Sequence, residues 1–305
     1  DDVRHVAHEV KKVYQQVAVY PVEVSCGGVV NGVTCKWSRS LSGPKSNTTY
    51  GGAFDLRNIA SSLQKSTSSE YSEDVLPLIA YYGTGRLWAQ KQAKKKGKQK
   101  LRSRFEGYRD CIAEQATDKQ LLEWFSETTL LVSQEGPIPQ MTAVQQALER
   151  CFADLIDHDE TQRVKVEYRQ RYRTVVVEYT NRSGEHELHP MYEMSDGYRS
   201  VLSMVADIAH RMAVLNPQLD DAILETPGII IIDEVELHLH PGWRKRILKD
   251  LTSVFPNIQF IVSTYSPEVI TSYKEANLIL LKHEGSATQI ESAYGKDVNT
   301  VFRSI

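Results

Sequence analysis

The chain has 305 residues, of which 41% are hydrophobic and 25% charged, and its formal net charge is −3. This composition is typical of a soluble globular protein and excludes a disordered chain, while the small net charge means that nucleic-acid binding would need a local patch. No apolar run approaches the roughly 18 residues of a membrane span, and four cysteines without a C-x-x-C pair favour reduced thiols in a cytoplasmic protein.

The first half of the chain is predicted to contain a helix, a hairpin and a helical segment. Apolar residues on a helical period favour a helix over 1–20. Alternating apolar residues on either side of Asn31-Gly32 predict a β-hairpin. The apolar run at 76–82 predicts a strand that ends in Gly83-Thr84-Gly85-Arg86, and a largely helical stretch follows to about residue 157.

The second half has the pattern of an α/β core. Three alternating segments within 164–194, separated by turn residues, are typical of antiparallel strands. After them, helix and strand patterns alternate in the order expected of a mostly parallel sheet. We therefore predict one α/β domain with three parts, a β-rich part, a helical insertion and a core, at 1–80, 81–160 and 161–305.

The clearest chemical signal is a pair of acids after a run of isoleucines. Four isoleucines at 229–232 without alternation predict a strand buried on both faces of a parallel sheet. Asp233 and Glu234 follow at its carboxyl end, where open α/β sheets bind ligands. Because adjacent carboxylates are costly there without a cation, we assign Asp233 to Mg²⁺ and Glu234 to the base that orients an attacking water. The alternative is a helix cap, but Pro241 begins the next helix too far downstream for the pair to cap it.

Three further segments are expected to lie near this pair. Ser195-Asp196-Gly197 precedes a long helix, and a glycine at a helix start leaves backbone N–H groups accessible to a phosphate. Asp196 fits a phosphate site less well, because its carboxylate repels a γ-phosphate unless the side chain turns away from it. Thr264-Tyr265-Ser266-Pro267 ends the next strand and faces the same crevice. At the end of the strand at 76–82, Arg86 is either a nucleotide contact or part of a glycine-softened turn.

These segments resemble AAA-type ATPases of the ABC, SMC and RecF-like branch. The motifs that carry the resemblance are MSDGYRS at 194–200, TPGIIIIDEVELHLHP at 226–241 and FPNIQFIVSTYSP at 255–267. Within the branch the chain is similar to the "predicted ATP-binding proteins involved in virulence", a group that includes the PtuA-type ATPases of Septu and of some retron anti-phage systems. Similar stretches at 76–88, 103–108 and 122–125 extend the likeness over nearly the whole chain.

The resemblance implies an ABC-type ATPase head that binds ATP and Mg²⁺ between two copies of itself. It makes Ser195-Asp196-Gly197 the signature element, which contacts the nucleotide of the opposite subunit. Asp233-Glu234 becomes the Walker B pair, the turn at 236–240 the D-loop region, and Tyr265 the switch residue. As partners it implies a homodimer or higher oligomer, an HNH nuclease subunit, and a reverse transcriptase with its DNA or RNA product.

Two features depart from the family's pattern. No G-x-x-x-x-G-K-[ST] loop occurs in the chain, which also lacks an initiator Met, so we expect the phosphate loop in a segment before Asp1. Tyr265 stands where the family usually has histidine, and a phenol cannot carry positive charge near pH 7. We therefore expect ATP binding to survive and hydrolysis to be slow.

Other interpretations stay open. Tyr265 also favours a scaffold that binds ATP without useful turnover, and a RecF-like DNA-repair ATPase is a further alternative. The cationic stretches at 94–104 and at Arg169, Arg171 and Arg173 are candidates for nucleic-acid or partner contact, although such runs are more often a solvated face. A histidine pair, His238 and His240, fits a structural loop better than a zinc site, because no third ligand of matching spacing is near.

Overall fold

The computed structural model describes residues 5–10, 13–30, 32–67, 72–87, 103–112, 118–153, 163–282, 286–290 and 292–296. The chain divides into two compact units, residues 1–74 and 75–305. In the described ranges, no helix combines the length and the apolar character needed to cross a membrane.

The first unit consists of two antiparallel hairpins and a helix. Strand β1 (His5–Val10) pairs with β2 (Val13–Ala18), and β3 (Val22–Val30) pairs with β4 (Val33–Leu41). A 3₁₀ turn (Gly51–Ala53) leads into α1 (Phe54–Ser66). The unit is therefore rich in β structure, and each of its pairings joins segments that are close in sequence.

The two sequence predictions for this unit have different outcomes. The hairpin around Asn31-Gly32 is confirmed, because Val30 pairs with Val33 and Gly32 has a φ of 75°, which glycine adopts readily. The helix over 1–20 is wrong. The apolar spacing fits a helix, but six of these 20 residues are valines, whose branched Cβ lowers helix propensity and suits strands.

The second unit contains the remaining helices and strands. In chain order they are β5 (Leu78–Tyr82), α2 (Asp118–Glu135), α3 (Pro139–Ala153), β6 (Lys165–Arg169), β7 (Thr174–Thr180), β8 (His186–Pro190), α4 (Asp196–Leu215), β9 (Gly228–Ile232), α5 (Pro241–Arg244), α6 (Ile247–Val254), β10 (Ile258–Val262), α7 (Pro267–Ile270), β11 (Leu278–Leu281) and β12 (Ala287–Ile290). Short 3₁₀ helices lie at Thr84–Leu87, Arg104–Tyr108, Met191–Glu193 and Pro217–Glu225.

A parallel sheet of three strands lies in this unit, in the order β10-β9-β5. The isoleucine strand β9 is central, and both of its neighbours pair with it in parallel. Strands β6, β7 and β8 form a separate antiparallel sheet, and α2 and α3 form the helical segment before it. The predicted α/β class, with a parallel core sheet, an antiparallel β element and a helical insertion, is confirmed.

Only one face of the parallel sheet is buried among the described residues. Ile230 and Ile232 on this face have no exposed surface, whereas Ile229 and Ile231 on the other face are each 43% exposed. Their neighbours on the outer strands, Ile79 and Ile261, are similarly exposed. The prediction that the β9 strand is buried on both faces is therefore wrong for the described residues, although the strand is central as expected.

Helix α4 is buried along most of its length, because apolar residues occupy nearly its whole circumference. Helices α2 and α3, strand β5 and the 3₁₀ helix at Arg104–Tyr108 all pack against it. Its buried side chains include Val201, Leu202, Val205, Ile208 and Met212. The helix that begins at the predicted signature element is therefore part of the core.

An ion pair with little exposure ties α4 to β5. The Asp207 carboxylate accepts hydrogen bonds from Arg211 Nε (2.8 Å) and from the Tyr82 hydroxyl (2.8 Å). Arg211 Nη1 also donates to the carbonyl oxygens of Gly107 and Arg109. Burial raises the pKa of Tyr82, and the Asp207 charge raises it further, so the phenol stays a neutral donor. Helix, strand and loop thus share one polar network.

Candidate functional site

The paired acids lie in a tight turn at the carboxyl end of the central strand. The Asp233 N–H donates to the carbonyl oxygen of Tyr82 (2.8 Å), which carries the β9–β5 pairing one residue further. On the other side, the Val235 N–H donates to the carbonyl oxygen of Ser263 (3.1 Å), just beyond β10. Both acidic side chains are half-buried. The turn is therefore fixed between the ends of the two outer strands, at the edge where parallel sheets bind ligands.

Ser263 bonds to both acidic residues, and sequence reasoning assigned it no role. Its hydroxyl donates to Asp233 Oδ1 and accepts a hydrogen bond from the Glu234 N–H (2.9 Å). A signal was present in the sequence, because a hydroxyl at the end of the strand beside the carboxylate strand must lie near the acids. It was missed because serine at a strand end is common and has no distinctive spacing.

The turn has an unusual backbone. Glu234 has a φ of 46° and His238 a φ of 66°, both in the left-handed region that favours glycine. Two hydrogen bonds between residues three apart close the turn, from Leu237 N–H to the Glu234 carbonyl (2.8 Å) and from Leu239 N–H to the Glu236 carbonyl (2.9 Å). Strained residues of this kind persist only where the surrounding structure enforces them, and they concentrate at functional sites.

Helix α4 begins at the predicted signature element. Ser195 is the N-cap residue, and its carbonyl oxygen accepts a hydrogen bond from the Arg199 N–H (3.0 Å). Its side chain makes no capping hydrogen bond. The Asp196 carboxylate forms an ion pair with the Arg199 guanidinium one turn along the helix. This pairing offsets the negative charge that made Asp196 an awkward neighbour for a phosphate.

Gly197 lets the start of α4 approach the acidic turn closely. A Cβ atom at this position would lie 2.5 Å from the carbonyl oxygen of His238, a main-chain atom that cannot rotate away. The next residue, Tyr198, packs its ring against Trp243 of α5 with the ring centroids 4.0 Å apart. The structure thus brings Ser195-Asp196-Gly197 beside the turn that carries Asp233 and Glu234, as the sequence order suggested.

Tyr265 lies in the loop after β10, and its side chain is 83% exposed. Its backbone N–H donates to Glu236 Oε1 (2.8 Å), so the acidic turn and this loop are joined a second time. Arg86 was the remaining candidate for a nucleotide contact. Its backbone belongs to the 3₁₀ helix at Thr84–Leu87, but its side chain lies outside the part of the chain that the structure describes.

Several cationic and histidine candidates have structural partners instead. Arg104 Nε donates to the carbonyl oxygen of Leu215 (2.6 Å), and Arg169 pairs with Glu167 and Glu178. His240 Nδ1 accepts from the Gly242 N–H (3.3 Å) and so caps α5. Of the cationic run at 94–104, residues 94–102 lie outside the described residues.

The acidic turn offers carboxylate oxygens of the kind that bind Mg²⁺ together with other ligands. Within the described ranges, no group of three or more His, Cys, Asp or Glu side chains could hold a metal ion. Mg²⁺ differs from zinc in this respect, because it is commonly bound by one or two carboxylates together with waters and substrate phosphates. Asp233 and Glu234, with the Ser263 hydroxyl beside them, provide this kind of donor set.

Comparison with known families gives one match over most of the chain. The family model described as "AAA domain, putative AbiEii toxin, Type IV TA system" matches residues 42–271. This range contains the acidic turn, the start of α4 and the loop after β10.

Curated relatives match shorter parts. The chain is 44% identical over 91 residues to "Retron Ec83 probable ATPase" of Escherichia coli, and the match covers 30% of this chain and 17% of the relative. It is 46% identical over 82 residues to "Retron Vc95 probable ATPase" of Vibrio cholerae serotype O1 biovar El Tor, and the match covers 27% of this chain and 16% of the relative. It is 31% identical over 144 residues to "Septu protein PtuA" of Bacillus mycoides (strain KBAB4), and the match covers 46% of this chain and 18% of the relative. The matches thus span less than a fifth of the length of these relatives.

Among solved structures, the chain is similar to an SMC head domain from Thermotoga maritima. The TM-score is 0.45 at 12% identity, and the alignment covers 89% of this chain and 74% of the SMC head.

Proposed function

The chain belongs to this AAA-domain family, and from that membership and the geometry of the acidic turn we propose that it is a Mg²⁺-dependent ATP-binding and ATP-hydrolysing subunit of a retron- or Septu-type anti-phage system. One observation carries the proposal. Asp233 and Glu234 lie at the carboxyl end of the central parallel strand, and Ser263, Gly197 and the Tyr265 loop converge on the same turn.

Each element then has a role that its position allows. Asp233 would hold the cation, and Glu234 would orient the water that attacks the γ-phosphate. Bound Mg²⁺ neutralises charge on the phosphates. The N–H groups at the start of α4 are the donors that an anion prefers, and they serve the nucleotide of a second copy. The Tyr265 hydroxyl, exposed in the loop after β10, can donate one hydrogen bond but carries no positive charge.

In this proposal, two copies of the protein close around ATP in the cytoplasm and control an effector. The relatives named as retron ATPases and as PtuA support a place in such a system. The effector we propose is an HNH nuclease, with a reverse transcriptase and its nucleic-acid product as further partners.

Nucleotide binding tests the proposal. We expect full-length protein to bind a non-hydrolysable ATP analogue in a Mg²⁺-dependent manner in isothermal titration calorimetry. Asp233→Asn keeps the side-chain volume and removes the charge, so the Mg²⁺-dependent part of the affinity should fall at least about tenfold. Asp221→Asn makes the same chemical change at an exposed position and should bind like wild type. Equal Mg²⁺ dependence in wild type and Asp233→Asn would refute the assignment.

A scaffold that binds ATP without useful turnover is the second candidate, and Tyr265 is the observation that favours it. Electrostatic stabilisation of transition-state charge is a large part of catalysis, and a neutral phenol supplies less of it than an imidazolium.

Tyr265→His should therefore raise steady-state ATP turnover about tenfold, because it restores a group that can carry positive charge. Tyr294→His, at another exposed tyrosine, is the matched control and should leave turnover unchanged. Brisk turnover by wild type, without acceleration by Tyr265→His, would show that the phenol does not limit the rate.

A further inference from the structure

Ser263 joins the two residues on which the proposed chemistry depends. Its hydroxyl donates to Asp233 Oδ1 and accepts from the Glu234 N–H (2.9 Å). Its main chain makes two more bonds, from the Ser263 N–H to the Ile232 carbonyl (3.0 Å) and from the Val235 N–H to the Ser263 carbonyl (3.1 Å). One residue of β10's end thus contacts four consecutive residues at the end of β9.

The Ser263 hydroxyl restricts the rotation of the Asp233 carboxylate and the position of the Glu234 main chain. A serine hydroxyl has one donor hydrogen and two acceptor lone pairs, and here the donor and one acceptor are used on adjacent acidic residues. The bond to the Asp233 carboxylate is charge-assisted and sets the rotation of that group. The bond from the Glu234 N–H holds a residue whose φ is 46°. Such a backbone conformation is uncommon for a non-glycine residue, and the hydrogen bond to Ser263 sets the direction of this N–H group.

A structural role alone does not account for these bonds. The Ser263 side chain is exposed, so water can replace its hydrogen bonds when the hydroxyl is removed. Exposed substitutions of this type usually change stability little. Loss of orientation at the carboxylate would instead appear in metal binding and in the chemical step, because residues that orient metal ligands typically affect affinity or activity by 10- to 100-fold.

We propose that Ser263 is a positioning residue of the nucleotide site, whose hydroxyl holds the Asp233 carboxylate and the Glu234 main chain in the arrangement that binds magnesium and orients the attacking water. The proposal rests on the proposed function of the same site. It assigns to the end of β10 a part in metal binding that is separate from the switch position at Tyr265.

The test compares Ser263→Ala with Ser263→Thr in full-length protein. Ser263→Ala should lower kcat about 10- to 100-fold and raise the half-saturating Mg²⁺ concentration about tenfold, with little change in KM for ATP. Its melting temperature should stay within about 2 °C of wild type. Ser263→Thr keeps the hydroxyl at an exposed position, and should restore kcat to within about threefold of wild type.

Metal binding gives a readout that does not depend on turnover. With a non-hydrolysable ATP analogue present, electron paramagnetic resonance should show Mn²⁺ affinity about tenfold weaker in Ser263→Ala than in wild type. Ser272→Ala removes a hydroxyl that donates to the Val269 carbonyl (2.9 Å) and should match wild type in every assay.

The outcomes separate this inference from the proposed function. If Asp233→Asn loses Mg²⁺-dependent binding while Ser263→Ala keeps wild-type Mn²⁺ affinity and Mg²⁺ requirement, the inference is wrong and the proposed function stands. If wild type itself binds neither the metal nor the nucleotide, both are wrong. Weakened Mn²⁺ binding in Ser263→Ala, with recovery in Ser263→Thr, supports the inference even where turnover is too slow to measure.

Discussion

Arg211→Ala should lower the free energy of unfolding by about 3–5 kcal/mol, because it leaves the Asp207 carboxylate without its ionic partner in a setting that water reaches poorly. The two side chains are only 13% and 18% exposed. Burial alone would lower the pKa of Arg211, but the charge of Asp207, the neighbouring Tyr82 and the hydrogen bond to Asp207 together outweigh burial and raise the pKa above its usual value. The variant also removes the donor that reaches the carbonyl oxygens of Gly107 and Arg109.

A matched pair on the surface provides the control. Arg109 and Glu106 form an i, i+3 ion pair with side chains that are 56% and 38% exposed. Arg109→Ala should cost no more than about 1 kcal/mol, since exposed ion pairs contribute little. Urea unfolding measures both variants without the charge screening that guanidinium would add. Similar losses in the two variants would show that the Asp207–Arg211 pair is not the buried link described above.

The same network connects stability to the site. Tyr82 donates its hydroxyl to Asp207 of α4, and its carbonyl oxygen receives the Asp233 N–H. The start of α4 contacts the acidic turn through Gly197. Loosening α4 should therefore disturb the position of Asp233 as well as the packing of the core.

The core of the fold could be predicted from sequence because its signals are local. The isoleucines of β9, the apolar period of α4 and the order of helices and strands after residue 195 identify a parallel sheet. The antiparallel strands β6, β7 and β8 follow from alternation and turn residues in the same way. The acidic pair stood out because two carboxylates at the end of a buried strand are costly without a ligand.

The errors arose where several structures satisfy one local pattern. The valines of 1–20 have helical spacing, yet their branched side chains favour the hairpin that forms. A run of four isoleucines fits a strand with one buried face as well as a strand with two. Periodicity shows which residues are apolar, but it does not show which of them are buried by other helices or strands.

The sequence indicated that Ser263 lies near the acidic pair, but it could not predict the exact hydrogen-bond partners in the site, because these depend on the register of neighbouring strands. Ser263 bonds to Asp233 and Glu234 only because β10 lies beside β9 with Val262 opposite Ile232. The steric need for glycine at position 197 depends on the main chain of His238, 41 positions later. The spacing of residues within a single segment does not predict contacts such as these, which join segments far apart in sequence.

Glu234→Gln has the largest effect expected on activity. Glutamine keeps the size of the side chain but cannot accept a proton, and a positioned general base contributes about 10²- to 10⁴-fold to a rate. Binding of Mg²⁺ and ATP should persist, because Asp233 and Ser263 are unchanged. The wild-type rate is expected to be slow with tyrosine at position 265, so the assay should follow radiolabelled phosphate release over long times.

The most direct test of the account is therefore ATP turnover by full-length wild type, Glu234→Gln and the exposed control Glu225→Gln under identical conditions. We predict that wild type and Glu225→Gln release phosphate at the same slow rate and that Glu234→Gln falls at least about 100-fold below them while still binding the nucleotide. Equal rates in all three proteins would contradict the claim that this acidic turn carries out ATP hydrolysis.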